Sequence, residues 1–120
     1  MARPPRYRDP IELRQGTLDL LILQTLQWGP QHGYGIANHI RVNSRQALEI
    51  ETGTLYPALH RLERDRWIAA EWTVSDNKQR VRLYRLTPAG KRQLAAERSR
   101  WERLTEAVGG VLAPPRGSEA

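Results

Sequence analysis

Apolar side chains recur three or four residues apart in three segments of the first half of the chain, which is the spacing of one face of a helix. The segments span about residues 17–27, 33–42 and 54–66. Gly29-Pro30 follows the first segment and would end it. We therefore predict three helices, with a connector over 45–51 whose form the sequence leaves open.

Two threonines are suited to begin these helices. Thr17 and Thr54 each precede an apolar run, so each is predicted to be an N-cap. If the third helix begins at Thr54, Pro57 is its third helical residue, where a missing N–H costs nothing. An earlier start would place the proline ring against a carbonyl, although an earlier, distorted turn stays an alternative.

An alternating pattern follows the third segment. Apolar residues take every second position over 68–74, the stretch 75–78 has turn chemistry, and 81–86 mixes basic and apolar residues. Three helices followed by a two-stranded hairpin is the order of a winged helix-turn-helix. The predicted fold class is therefore mainly α with a two-stranded β wing.

A further helix is predicted beyond this complete domain. Thr87 and Pro88 have the residue types of an N-cap and a first helical position, and Gly109-Gly110 would weaken or end the helix. Its apolar stripe, which would pack against a second subunit, comprises Leu94, Trp101, Leu104, Val108 and Val111. The predicted organisation is a flexible basic arm (1–14), a winged helix-turn-helix domain (15–87), a C-terminal dimerisation helix (88–112) and a disordered tail (113–120).

Charge points to a polyanionic partner. The chain has 19 basic and 13 acidic residues, a net charge of +6. Residues 61–92 hold nine of the basic and four of the acidic residues, so most of the excess lies in one third of the chain. Cysteine is absent and no apolar run could span a bilayer, which favours a cytoplasmic protein without a membrane partner.

The third helix and the wing supply the candidate DNA contacts. On the helix, the polar face opposite the apolar stripe carries Tyr56, His60, Arg61 and Arg64, and its N-terminus carries Thr54. On the wing, the candidates are Lys78, Arg80 and Arg82, which suit phosphate contacts. The alternatives are an exposed aromatic that merely covers the helix, surface ion pairs with Glu63 or Asp65, and a solvated hairpin tip.

Four segments, 16–23, 32–36, 53–63 and 84–90, resemble the PadR family of bacterial transcriptional regulators. The run Gly53-Thr54-Leu55-Tyr56-Pro57-Ala58-Leu59 is the specific signal, whereas Leu86-Thr87-Pro88-Ala89-Gly90 is shared by many winged-helix regulators. The resemblance implies a homodimeric repressor on a pseudo-palindromic operator. The single short C-terminal helix is similar to the small subgroup of the family.

The resemblance also implies a candidate ligand site. Some family members bind flat aromatic compounds, and in some relatives a tryptophan on the last helix stacks on them at the dimer interface. Trp101 is the matching residue here, and a plain interface anchor is the alternative. Trp28, Trp67 and Trp72 are predicted to pack in the core or hairpin.

No catalytic constellation, metal-ligand set or cofactor loop is found in the sequence, so we predict neither an enzyme nor a cofactor. The favoured hypothesis is a sequence-specific, dimeric repressor, with a small aromatic effector as a further partner. The rival hypotheses are a sequence-indifferent architectural DNA binder, a winged helix used for protein interaction, and an RNA binder, which lacks the expected clustered aromatics.

Overall fold

The computed structural model describes residues 13–115. The predicted arm therefore lies almost wholly outside the described residues, as do residues 116–120 of the predicted tail. The elements in chain order are α1 (Gln15–Gln27), β1 (Gln31–His32), α2 (Gly33–Asn43), α3 (Thr52–Arg64), β2 (Ile68–Val74), β3 (Arg80–Leu86) and α4 (Pro88–Leu112). The mainly helical architecture with a small β wing confirms the predicted fold class.

The sheet has three strands, not the two predicted. Its order is β1-β3-β2, and both pairs are antiparallel. Gln31 pairs with Tyr84 and His32 with Leu83, so the residues just before α2 are hydrogen-bonded to the return strand of the wing. A two-residue strand shows no alternation, which is why the sequence pattern missed it.

The core lies where the first three helices meet the base of the sheet. Burying each large aliphatic side chain stabilises the fold by about 1.5–3 kcal/mol. Fully buried side chains come from every layer: Ile22, Leu23, Ile36, Leu55, Leu59, Leu62, Ile68, Tyr84 and Leu94.

The predictions of Thr17 and Thr54 as helix N-caps were wrong. Helix α1 begins at Gln15, so Thr17 is its third residue, and Arg14 takes the N-cap position without a side-chain cap. Helix α3 begins at Thr52 with Glu51 at the N-cap, which places Thr54 inside the first turn. The Glu51 carbonyl accepts from Leu55 N–H at 2.8 Å, so the helical ladder is already formed there.

Pro57 is consequently the sixth residue of α3, not the third. The carbonyl that loses its partner is that of Gly53, one turn earlier. Gly53 is exposed at the surface of the helix. Water can therefore solvate the free carbonyl, which is how the helix tolerates an earlier start than the proline favoured.

Helix α4 is fixed to the domain at its first turn. The Thr87 hydroxyl accepts from Gly90 N–H at 2.9 Å and lies 2.8 Å from the carbonyl oxygen of Arg66, to which it donates. The backbone N–H of Thr87 donates to the Trp67 carbonyl at 3.1 Å. A Cβ on Gly90 would lie 2.0 Å from that carbonyl oxygen, so the approach requires glycine. The predicted cap and first-position proline are confirmed here.

Helix α4 divides into a packed beginning and an exposed remainder. Leu94 is 2% exposed and belongs to the core, because the start of α4 lies against α1. This differs from the predicted interface role, since Leu94 is already covered within its own chain. From Arg98 to Leu112 nearly every residue is exposed, and the helix continues through Gly109 and Gly110.

Two tryptophans outside α4 also differ in environment. Trp28, at the end of α1, is 73% exposed, so the prediction that it packs in the core was wrong. Trp67 is partly buried and packs against the core as expected.

Candidate nucleic-acid interface

The outer face of α3 is polar and accessible. Thr54, Tyr56, His60 and Arg64 are exposed, while the opposite stripe is buried. The helix therefore presents hydroxyl, imidazole and guanidinium groups outward on a rigid support, a face suited to a DNA groove.

Tyr56 is held in place by a glycine on the neighbouring helix. A Cβ built on Gly33 would lie 2.6 Å from the Tyr56 hydroxyl oxygen and 2.9 Å from the adjacent ring carbon. The tyrosine tip thus rests on the bare backbone at the start of α2. The sequence gave no sign of this contact, because Gly33 and Tyr56 are distant in the chain.

Arg61 does not share the free outer face. It forms an ion pair with Asp19 of α1, and the two side chains are 22% and 13% exposed. Burial raises the pKa of the Asp19 carboxyl, and the hydrogen bond and charge of Arg61 oppose that rise. Arg61 is therefore engaged inside the protomer, joining α3 to α1, with Asp19 as a partner that sequence reasoning did not identify.

The wing ends in a tight turn. Ser75 N–H donates to the Gln79 carbonyl at 2.8 Å, and Lys78 N–H donates to the Ser75 carbonyl at 2.9 Å. Lys78 adopts φ +64°, a left-handed conformation, and its side chain is exposed. The predicted turn segment is therefore real, and it places Lys78 at the tip.

The two wing arginines gather around Trp72, which is 58% exposed on β2. The guanidinium carbons of Arg80 and Arg82 lie 4.7 and 5.6 Å from the centroid of the Trp72 ring. Arg82 also donates to Glu63 of α3 at 2.8 Å. The wing is thus connected to α3, which the sequence pattern did not indicate.

A cleft of about 330 Å³ separates α3 from the wing. Its walls carry aromatic and basic side chains from α2, α3, β2 and β3, among them Tyr34, Tyr56, His60, Trp72 and Arg80. Four of the predicted DNA-contacting residues therefore line this cleft: Tyr56, His60, Arg80 and Arg82. Arg64 and Lys78 are exposed but do not line it.

A second surface lies on the exposed part of α4. Trp101 is 44% exposed, and Leu104, Val108 and Val111 continue the apolar stripe along the helix. Trp101 and Leu104 also line a cavity of about 450 Å³ against the start of α1. This surface is separate from the polar face of α3.

Over residues 13–115, no helix is long and apolar enough to cross a membrane. Within the same range, no group of three or more His, Asp or Glu side chains is arranged to hold a metal ion.

Comparisons with known proteins agree with this geometry. The profile of the Transcriptional regulator PadR-like family matches residues 22–96. The transcriptional regulator Rv3488 of Mycobacterium tuberculosis is 37% identical over 100 residues, which cover 82% of this chain and 90% of that protein.

Solved structures show the same fold. A transcriptional regulator from Clostridium thermocellum has a TM-score of 0.75 at 29% identity, over 82% of this chain and 96% of that one. A PadR family transcriptional regulator from Eggerthella lenta has a TM-score of 0.72 at 33% identity, over 84% of this chain and 86% of that one. The chain therefore belongs to the PadR-like family of transcriptional regulators, which act by binding DNA.

Proposed function

We propose that this regulator is a homodimeric repressor that binds a pseudo-palindromic operator. The observation that carries the proposal is the outward polar face of α3 beside a basic wing. Each α3 would enter a major groove, with the two half-sites about 34–36 Å apart, one helical turn of DNA. Tyr56, His60 and Arg64 would contact bases or phosphates, and the wing cations would contact phosphates.

Dimerisation would use the exposed stripe of α4. Trp101, Leu104 and Val108 lie on one side of the exposed part of this helix. Large apolar side chains in a row on a helix are stable in water when a partner covers them. Two copies of the same stripe supply such a cover by two-fold symmetry.

An aromatic effector would enter beside Trp101. The cavity between α1 and α4 is about 450 Å³, within the usual range of small-molecule sites, and Trp101 forms part of its wall. A ligand that binds better to a dimer geometry unable to span both half-sites would release the DNA. The test is to titrate the parent protein and Trp101→Phe with a panel of flat aromatic compounds and to record tryptophan fluorescence. A ring bound beside Trp101 should quench the emission of Trp101, which the parent has and Trp101→Phe lacks. No change in fluorescence or in operator affinity across the panel would count against an effector.

The main experiment measures binding to DNA from the protein's own promoter region against random duplex, over a series of salt concentrations. A footprint with dyad symmetry that survives competitor is the expected result. Arg64→Ala should weaken that footprint, since it removes an exposed cation of α3. Binding that shows no preferred site would instead support an architectural DNA binder, and binding unaffected by Arg64→Ala and Lys78→Ala would support a protein-interaction module.

A further inference from the structure

The two arginines on the inner face of the wing have different surroundings. Arg82 donates to Glu63 at 2.8 Å, and its Nε is buried with no hydrogen-bond partner within residues 13–115. Arg80 is exposed, and among residues 13–115 no acidic side chain forms an ion pair with it. Both contact Trp72, although the Arg80 guanidinium lies closer to the ring. The arginines are therefore not equivalent as phosphate ligands.

Strand register explains why one tryptophan serves both arginines. Trp72 lies directly opposite Arg82 in the β2–β3 pair, while Arg80 lies opposite Val74. Arg80 is therefore the diagonal neighbour of Trp72, and residues two apart on β3 share one face. A guanidinium over an indole face is held by cation–π attraction, which confines a long side chain before DNA arrives.

Arg82 forms an ion pair that connects two elements of the domain. Glu63 belongs to α3, so its bond to Arg82 joins the recognition helix to the wing. A phosphate that engages Arg82 would have to share the guanidinium with the carboxylate that already neutralises its charge. The pair is about one-third exposed, so water and salt weaken it without removing its geometric effect.

We propose that Arg80 is the wing arginine that contacts phosphate, and that Trp72, Glu63 and Arg82 are positioning residues. Trp72 holds the Arg80 guanidinium, and the Glu63–Arg82 pair sets the angle between wing and α3. This inference rests on the proposed DNA-binding function and narrows it, since the sequence assigned both arginines to DNA. It also gives Glu63, an acidic residue on a DNA-facing helix, a defined role.

The test compares single-charge variants by the salt dependence of DNA binding. Log affinity falls as log salt rises, and each phosphate that the protein neutralises adds about 0.9 to the magnitude of that negative slope. Arg80→Gln should therefore reduce the magnitude of the slope by about 0.9 for each phosphate that Arg80 neutralises. Arg82→Gln should leave the slope near that of the parent but lower the ratio of operator to random-duplex affinity. Glu63→Gln should make the salt dependence steeper and should raise the affinity for random duplex, because Arg82 is then free to reach phosphate.

Arg85→Gln is the matched control. It removes the same charge from the same strand, but Arg85 points to the other face of the sheet from Arg80 and Arg82. Its slope should equal that of the parent. A slope reduction as large as that of Arg80→Gln would show that general charge, not position, governs the wing.

Substitutions of Trp72 test the positioning role without changing charge. Trp72→Leu should weaken operator binding about two- to fivefold, the value of a surface cation–π contact, with an unchanged melting temperature. Trp72→Phe should restore most of that affinity, because it retains an aromatic face. Equal binding by both variants, or equal slope reductions for Arg80→Gln and Arg82→Gln, would overturn the proposal while leaving DNA binding intact. A parent protein that binds neither operator nor random duplex would instead refute the proposed function.

Discussion

Replacing Arg61 with alanine distinguishes a structural cation of α3 from a DNA-contacting one. Arg61 and Arg64 lie one turn apart on the same helix, and both are candidates by sequence. Only Arg61 is paired with Asp19, whereas Arg64 is exposed. We therefore expect Arg61→Ala to act on stability and Arg64→Ala to act on DNA binding.

The magnitude follows from the burial of the pair. Removing one partner of a fully buried ion pair costs about 3–5 kcal/mol, because the other charge is left without compensation. The Asp19 side chain is 13% exposed and that of Arg61 is 22% exposed, so some solvent reaches the pair. We expect a decrease of about 1–3 kcal/mol in the free energy of unfolding for Arg61→Ala, or roughly 4–8 °C in melting temperature per kcal/mol. Arg64→Ala should change stability by less than about 0.5 kcal/mol.

The pH dependence gives a second signature. Burial holds the pKa of Asp19 above its ordinary value of 3.8, and removing Arg61 abolishes the interactions that lower it, so the pKa rises further. The folded variant then binds a proton that the unfolded chain releases. Its stability deficit should be largest at neutral pH and should shrink as the pH falls through the raised pKa towards 3.8.

Urea unfolding of the parent, Arg61→Ala, Arg64→Ala and Asp19→Asn/Arg61→Ala measures these effects. The double variant should recover part of the stability at neutral pH, since no buried carboxylate remains. If Arg61→Ala unfolds like the parent but loses DNA affinity as Arg64→Ala does, the reasoning from the Asp19 pair is wrong.

Three further predictions, one with a control substitution, concern the close packing and the α4 surface. Gly90→Ala should cost about 1–3 kcal/mol in thermal unfolding, because its Cβ would meet a backbone carbonyl, while Gly16→Ala, with open space around it, should not. Gly33→Ala should weaken DNA binding with little change in melting temperature, because it displaces the tip of Tyr56, the end of a flexible side chain; unchanged affinity would show that Tyr56 makes no important contact. Leu104→Glu should convert a dimer to a monomer in sedimentation experiments, since it places a charge in the exposed apolar stripe, and an unaltered mass would exclude that surface.

Elements with a long periodic pattern could be predicted from the sequence. The helices, the wing and its turn all repeat a local signal over several residues, and Thr87 carries its own capping chemistry. Pro57 led to a late predicted start for α3, because the pattern alone did not show that Gly53, whose carbonyl loses its helical partner, would lie at the surface. Local rules therefore identified the longer elements, missed the two-residue strand β1, and placed the start of α3 two residues late.

Contacts between distant residues could not be predicted in the same way. Asp19 and Arg61 are 42 positions apart, so no helical or strand spacing relates them. The bond between Glu63 and Arg82 and the approach of Tyr56 to Gly33 likewise depend on how the elements pack. The candidate DNA-contacting residues stay a prediction. That Arg61 is paired within the protomer could be seen only in the three-dimensional structure.

The attachment of the first turn of α4 would couple the proposed dimer contact to the position of α3. Thr87 and Gly90 contact the backbone of Arg66 and Trp67, so the start of α4 is joined to the segment that directly follows α3. A rotation at the dimer axis moves each part of the protomer in proportion to its distance from that axis, so it would move α3 relative to the base pairs of DNA. A change in the crossing angle of two α4 helices would therefore change the spacing between the two α3 helices of the proposed dimer. Gly90, whose close packing fixes α4 to the domain, would thus link the angle between the two α4 helices to the position of α3 along the DNA.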